Sequence, residues 1–225
     1  MIGRGAVPDV PGPRRPAMGR RTTTPGASAR ARPQRSAAVA PPPDLVLAAP
    51  WSATSIRPSS AEVALVQRWM ASPHVARHWQ QDWSKAAWDD EIAAQHAGGH
   101  SRPWLVAHDS EPLAYVETYR AAIDLVAEHV AVGAHDLGVH VAIGDEDRVG
   151  IGLGTGVLRA VALALFAVEP GCPRVLGDPD VTNEAACRAF ASAGYERIEE
   201  IELPHKRAAI MACERGSLAG DGTRS

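Results

Sequence analysis

The chain has 225 residues, 45% of them apolar, and a formal net charge of -3. That apolar share is enough for a real core, and the near-neutral charge gives no global attraction to nucleic acid or to an anionic membrane. No apolar run approaches the roughly 18 residues that span a bilayer; the longest, around Val157 to Val168, is interrupted by Arg159.

Residues 1–50 are rich in Pro, Arg, Ala, Gly and Thr and lack any 3.6- or 2-residue hydrophobic period. Such a stretch buries too little apolar area to offset ordering entropy, which predicts disorder. Arg14, Arg15, Arg20, Arg21, Arg30, Arg32 and Arg35 make it basic. A tail without a role is favoured over an organellar targeting segment, and Met18 offers another initiator. A nucleic-acid arm ranks last, because no aromatics interleave with the arginines. One folded domain is expected over residues 51–216, about an ordinary domain's worth of chain, with residues 217–225 as a second disordered tail.

Along the domain, Thr54 to Pro58 reads as a short strand ended by proline. Ser60 offers an N-cap for a helix whose apolar stripe is Val63, Leu65, Val66, Trp69 and Met70, and Pro73 punctuates it. A second helix runs from Ser84 through Trp88 and Ile92 to a Gly98-Gly99 stop. Pro103 to Ala107 and Leu113 to Tyr119 form a hairpin. Ala121 to Val130 is a linker with some helical character. Leu137 to Ile143 alternates as a core strand, and Gly150 to Gly156 is a glycine-rich loop opening an apolar helix that ends near Val168. Arg174 to Gly177 is a strand, Asn183 to Ala193 a helix closed by Gly194, and Tyr195 to Leu203 with Ala208 to Cys213 a terminal hairpin. The order implies an α+β fold, a mixed and mostly antiparallel sheet with helices on its faces. Cys172, Cys187 and Cys213 are an odd, scattered set without C-x-x-C, which predicts a reducing, cytoplasmic location and no metal site.

The glycine loop carries the first chemical signal. Val149-Gly150-Ile151-Gly152-Leu153-Gly154-Thr155-Gly156 lies between a core strand and a helix. Backbone N–H groups and the helix dipole there suit a pyrophosphate, and glycines let the anion approach. A dinucleotide fingerprint would come after the first strand, and a P-loop would need Gly-Lys-Ser/Thr. Loop and helix together resemble the acetyl-CoA arm of the GNAT acyltransferases, although the Arg or Gln usual ahead of G-x-G/A is Val149 here. Asn183, Ala186 and Gly194-Tyr195 resemble that family's N-x-x-A … G-F/Y segment, whose Asn lies along the pantetheine. The family often places a Tyr general acid seven residues after that Asn; this chain has Phe190, which reads as core.

Further strings narrow the resemblance. Pro73 to Trp79 with Asp82-Trp83 and Trp88, Tyr115-Val116-Glu117-Thr118-Tyr119, His135 to Asp145, Asp178 to Asn183, and Leu203 to Ala209 stand in order. They resemble the siderophore acyltransferases of the mycobactin lysine N-acyltransferase and aerobactin N-hydroxylysine acetyltransferase type, over roughly Ile56 to Glu214. The resemblance implies splayed central strands that admit an acyl thioester, from acyl-CoA (acetyl or longer) or an acyl carrier protein. It implies transfer to the side-chain amine or hydroxylamine of a lysine-type substrate, without metal, nucleic acid or membrane insertion.

A lysine-type amine has a pKa of about 10.4, so deprotonation at pH 7 costs roughly 4.6 kcal/mol, whereas a hydroxylamine is already neutral. Either nucleophile needs positioning and a place for its proton. By resemblance Asp178 is the proton acceptor, with Asp180 as rival, and His140 contacts substrate. His140 shares a strand face with Gly138 and Ala142, whose small side chains leave room for a ligand. Ile151, Gly152, Leu153, Gly154, Thr155, Gly156 and Asn183 would hold the acyl donor. Trp79, Trp83, Glu117 and Tyr119 would line the amine channel. Lys206 and Arg207 could hold a substrate carboxylate or a CoA phosphate, or be a solvated pair. Two other functions stay open: a GNAT that acetylates an antibiotic or other amine, and a non-catalytic acyl-CoA-binding protein.

Overall fold

A computed structural model of the chain describes residues 40–218. The expected disorder of residues 1–39 and 219–225 lies outside those residues. Strand β1 (Trp51–Ser55) is followed by helices α1 (Ala61–Met70), α2 (Pro73–Trp79) and α3 (Lys85–Ala97). Then come β2 (Ser101–His108) and β3 (Glu111–Arg120), two short 3-10 turns, β4 (Leu137–Ile143), α4 (Leu153–Val168), β5 (Arg174–Gly177), α5 (Glu184–Ser192), β6 (Glu196–Leu203) and β7 (Lys206–Glu214). The seven strands form one sheet in the order β1-β2-β3-β4-β5-β7-β6, and only β4 and β5 run parallel.

Local chemistry explains most elements. Ser84 caps α3 by accepting the Ala87 N–H at 3.3 Å, and Gly98 follows its last turn. Asp109 and Ser110 both take positive φ and join β2 to β3, as a two-residue hairpin of primed type requires. Pro73, expected only to end α1, instead opens α2: proline at the first helical position loses no N–H bond and presets φ. Strand β1 lies earlier than the expected Thr54 to Pro58. Its inward positions are Trp51 and Ala53, which pack on the main core.

Alternation along β3 divides the interior. Ala114 and Val116 pack with α4, through Val157, Leu158, Val161 and Leu165. Tyr115 faces the other way, against Val63, Val66, Met70, Trp88 and Ile92 of α1 and α3. Phe190 is buried, edge-on to Tyr195 at 5.0 Å, and a Cβ at Gly177 would sit 2.2 Å from its ring. Among the described residues no helix is long and apolar enough to cross a membrane.

The domain's edges lie outside the expected 51–216. Leu45 is 3% exposed within the main core, and Arg120, itself 3% exposed, donates to the Ala40 and Pro41 carbonyls at 2.8 and 3.2 Å. At the other end Leu218 is buried where Gly194 has no Cβ. Deletion to residue 50 therefore removes a core leucine and leaves Arg120 short of two acceptors, about 3–6 kcal/mol, against a typical net stability of about 5–15. Two truncations test this: a chain starting at residue 40 should melt within a few degrees of the full chain, whereas one starting at residue 51 should melt far lower or fail to fold.

Candidate active site

Strands β4 and β5 pair only at Leu137 with Val175 and Gly138 with Leu176. Beyond Gly138, β4 continues to Ile143 while β5 stops at Gly177, so the sheet splays there. Two side chains bridge the mouth of the splay: His140 Nε2 lies 2.7 Å from Asp178 Oδ1. His140 Nδ1 faces Glu117 Oε2 at 3.5 Å on the adjoining β3. On the far side, Lys206 Nζ of β7 lies 2.9 Å from Asp178 Oδ2 and donates to its backbone carbonyl. Strands β3, β4 and β7 and the residue directly after β5 thus set up a row, Glu117–His140–Asp178–Lys206, in which acidic and basic groups alternate.

Aromatic rings wall this row. Tyr119 stacks on His140 with centroids 4.6 Å apart, and its hydroxyl donates to Asp178 Oδ1 at 3.4 Å. Trp79 stands edge-on to His140 at 6.0 Å and to Tyr115 at 5.8 Å. Trp88 is core, and Trp83 lies tilted on it at 5.4 Å, one ring further out. The room expected beside Gly138 is taken: a Cβ there would lie 2.0 Å from the Tyr119 ring. Ala142 likewise packs in the cluster with Tyr115. Small residues on β4 make space for β3 tyrosines rather than for a ligand.

Charge follows from this arrangement. Burial pulls the His140 pKa down, but the Asp178 carboxylate, by charge and hydrogen bond, and then Glu117 outweigh it and raise it to about 9. Burial would raise the Asp178 pKa, yet Lys206 and His140 hold it well below the usual carboxylate range. Two cations flanking Asp178 thus outweigh its burial. Asp178 remains ionised at neutral pH, and His140 loses its proton only as pH rises through about 9. Lys206 is committed to Asp178 and is no solvated charge. Arg207, by contrast, is more than half exposed, 3.6 Å from Glu200. Asp180 accepts from the Thr182 backbone N–H and hydroxyl at 2.8 and 2.7 Å, the work of a turn carboxylate.

The glycine loop leads to the N-terminus of α4. Gly150 and Gly152 have φ of 81° and 89°, which only glycine adopts at little cost. The first helical bond here is from Gly156 N–H to Gly152 O at 3.0 Å. The N–H groups of Leu153, Gly154 and Thr155 lie in the first turn, where no intrahelical acceptor exists. Ile151 is 67% exposed beside them. Gly156 is glycine for another reason: a Cβ would meet Trp51 at 2.6 Å. Arg148 is turned to the Pro112 carbonyl at 3.2 Å. Asn183 caps α5, its side-chain oxygen accepting the Ala186 N–H at 3.0 Å.

Sequence reasoning missed Gln95, which donates to Glu117 Oε1 at 3.1 Å. A signal existed: Trp88, Ile92 and Gln95 form the buried stripe of α3, and a polar residue on such a stripe needs a partner.

A family model described as "Acetyltransferase (GNAT) domain" matches residues 59–203. The chain is similar to the lysine N-acyltransferase MbtK of Mycobacterium sp. (strain MCS), 34% identical over 79% of this chain and 72% of that one. To the N(6)-hydroxylysine O-acetyltransferase of Escherichia coli it is 30% identical, over 66% of this chain and 47% of the other. Among solved structures, AAC(6')-Ib with acetyl-CoA superposes with TM-score 0.68 at 20% identity, covering 78% of this chain and 99% of that one.

Proposed function

The chain belongs to the GNAT acetyltransferase family and is an acyltransferase; from that premise we propose that it acylates the side-chain nitrogen of lysine, N6-hydroxylysine or a related diamine for siderophore assembly. The donor in this reading is an acyl thioester, acyl-CoA or an acyl carrier protein, with its pyrophosphate at Ile151 to Thr155 and its pantetheine running past Asn183 into the splay. The observation that carries the reading is the His140–Asp178 bridge across diverging strands, walled by Trp79 and Tyr119.

In this reading the nitrogen attacks the thioester carbonyl at the splay and its proton enters at Asp178. A carboxylate held so far down cannot keep it. Neutral His140, 2.7 Å away and far more basic, takes the proton, and Asp178 stabilises the imidazolium that forms. Collapse of the tetrahedral adduct then breaks the C–S bond, and the departing thiolate takes its proton from the imidazolium or from water, since Phe190 has none to give. Trp79, Trp83 and Glu117 line the approach of the amine. An antibiotic amine is the weaker alternative, since the likeness to AAC(6')-Ib at 20% identity concerns the fold.

The reading is tested by incubation with acetyl-CoA and lysine or N6-hydroxylysine, followed by mass-spectrometric location of the new acyl group. Acylation of the side-chain nitrogen supports it; acylation of the α-nitrogen alone, or none, overturns it. The donor site has its own test. Gly152→Glu should weaken CoA binding by tenfold or more in calorimetry, by repelling the pyrophosphate. Gly152→Asn, which tolerates the left-handed backbone, should stay within a few-fold. Equal binding by both variants would place the donor elsewhere.

A further inference from the structure

Helix α3 buries Trp88, Ile92 and Gln95 on one stripe, a position where leucine would pack without polar cost. The Gln95 amide nitrogen lies 3.1 Å from Glu117 Oε1, 3.3 Å from the Tyr115 hydroxyl and 3.4 Å from Glu91 Oε1. Its carbonyl oxygen is buried without a hydrogen-bond partner. An unsatisfied buried acceptor costs about 1–3 kcal/mol, so the amide destabilises the fold through one end. What it supplies is the donor at the other end, aimed at the carboxylate that faces His140.

We propose that Gln95 is a positioning residue for acyl transfer: it holds Glu117 turned, so that Glu117 Oε2 faces His140 Nδ1 and the imidazole presents Nε2 to Asp178. The proposal deepens the acyl-transfer reading and rests on it for its kinetic consequence. The mechanical link is short. One Glu117 oxygen is taken by Gln95 and the other faces Nδ1. His140 can then point Nε2 across the splay in only one ring orientation. The ionisable groups facing the pair are Glu117 and Tyr119 from β3, Asp178 beyond β5, Lys206 from β7 behind Asp178, and Glu91 and Tyr115 around the amide. Without the amide donor, the Glu117 carboxyl group is no longer fixed toward Nδ1. Its pull on the imidazolium then weakens, and His140 loses its proton at lower pH.

The experiment uses Gln95→Met, which keeps the length of the side chain, with Gln95→Leu as a second variant. His140 is titrated by NMR in the substrate-free full-length protein. Its midpoint should fall by about one pH unit, the rising limb of turnover against pH should move down with it, and the plateau turnover above that limb should drop about tenfold or more, with the KM for acyl-CoA unchanged. In a Glu117→Gln background, Gln95→Met should add almost nothing to the shift, since the two act through one path. An unchanged midpoint in both variants, or a shift that persists in that background, overturns the proposal. A shift as expected, in a protein that acylates no lysine-type amine, would uphold the coupling and reject the acyl-transfer reading instead.

Discussion

Asp178→Asn should lower the turnover number by about 10²–10⁴, the usual worth of a positioned proton acceptor, and should also lower the melting temperature sharply. The second effect comes from the row of charges. The carboxylate lies between His140 and Lys206 at 2.7 and 2.9 Å and is 6% exposed. An amide in its place leaves two buried basic groups facing each other. Removing one partner of a buried ion pair typically costs about 3–5 kcal/mol. Kinetics must therefore be read well below the melting point of the variant. The KM for acyl-CoA should change little, because the phosphate loop does not touch this row. Asp180→Asn is the control: the amide oxygen still accepts the turn bonds from Thr182, as Asn serves such turns as well as Asp, so stability should change little and turnover should stay within a few-fold. Were Asp180→Asn to abolish turnover while Asp178→Asn kept it, the roles of the two carboxylates would be exchanged.

His140→Ala should also lower turnover by about 10² or more and should alter the pH dependence in two measurable ways. With N-hydroxylysine as nucleophile, the wild-type turnover number should rise with pH towards about 9, as His140 loses its proton; the variant should lack that limb. Stability should move the opposite way. The folded pKa of His140 lies above the unfolded value of about 6.5. Its contribution is therefore complete below about pH 6.5 and is lost as pH rises through about 9. Asp178, held low in the fold, contributes above about pH 4 and loses that contribution only in strong acid. Melting curves from pH 6 to 10 should accordingly decline for the wild type and flatten for His140→Ala. A wild-type curve flat across that range would mean that the fold leaves the His140 pKa near its unfolded value.

The elements legible in the sequence were those with one strong local cause. Leu137 to Ile143 and Arg174 to Gly177 have the observed bounds because clean alternation or a dense apolar run identifies them. Helix α2 was hidden because Pro73 both stops and starts helices. The ends of the domain were hidden because Leu45 and Leu218 are single apolar residues in polar company, and their burial depends on the missing Cβ of Gly194 and on the carbonyls facing Arg120. The site shows the same division. His140 lies on β4 and Asp178 directly after β5, which any parallel β4–β5 pair would bring together, so their meeting could be expected from order alone. Lys206 could not be placed, because its contact depends on the register of β7 against β5. Gly138 was read as space for a ligand, because a sequence does not show which neighbour fills a missing side chain.

The central claim, acyl transfer to a lysine-type side-chain nitrogen at the β4–β5 splay, is tested most directly by free-thiol release from acetyl-CoA. The panel is lysine, N6-hydroxylysine, N-hydroxycadaverine, an aminoglycoside and no amine. Rapid release is expected with at least one lysine-type nucleophile, suppressed by Asp178→Asn, and only background release with the aminoglycoside or with no amine. Equal or faster release with the aminoglycoside, or release insensitive to Asp178→Asn, would contradict it.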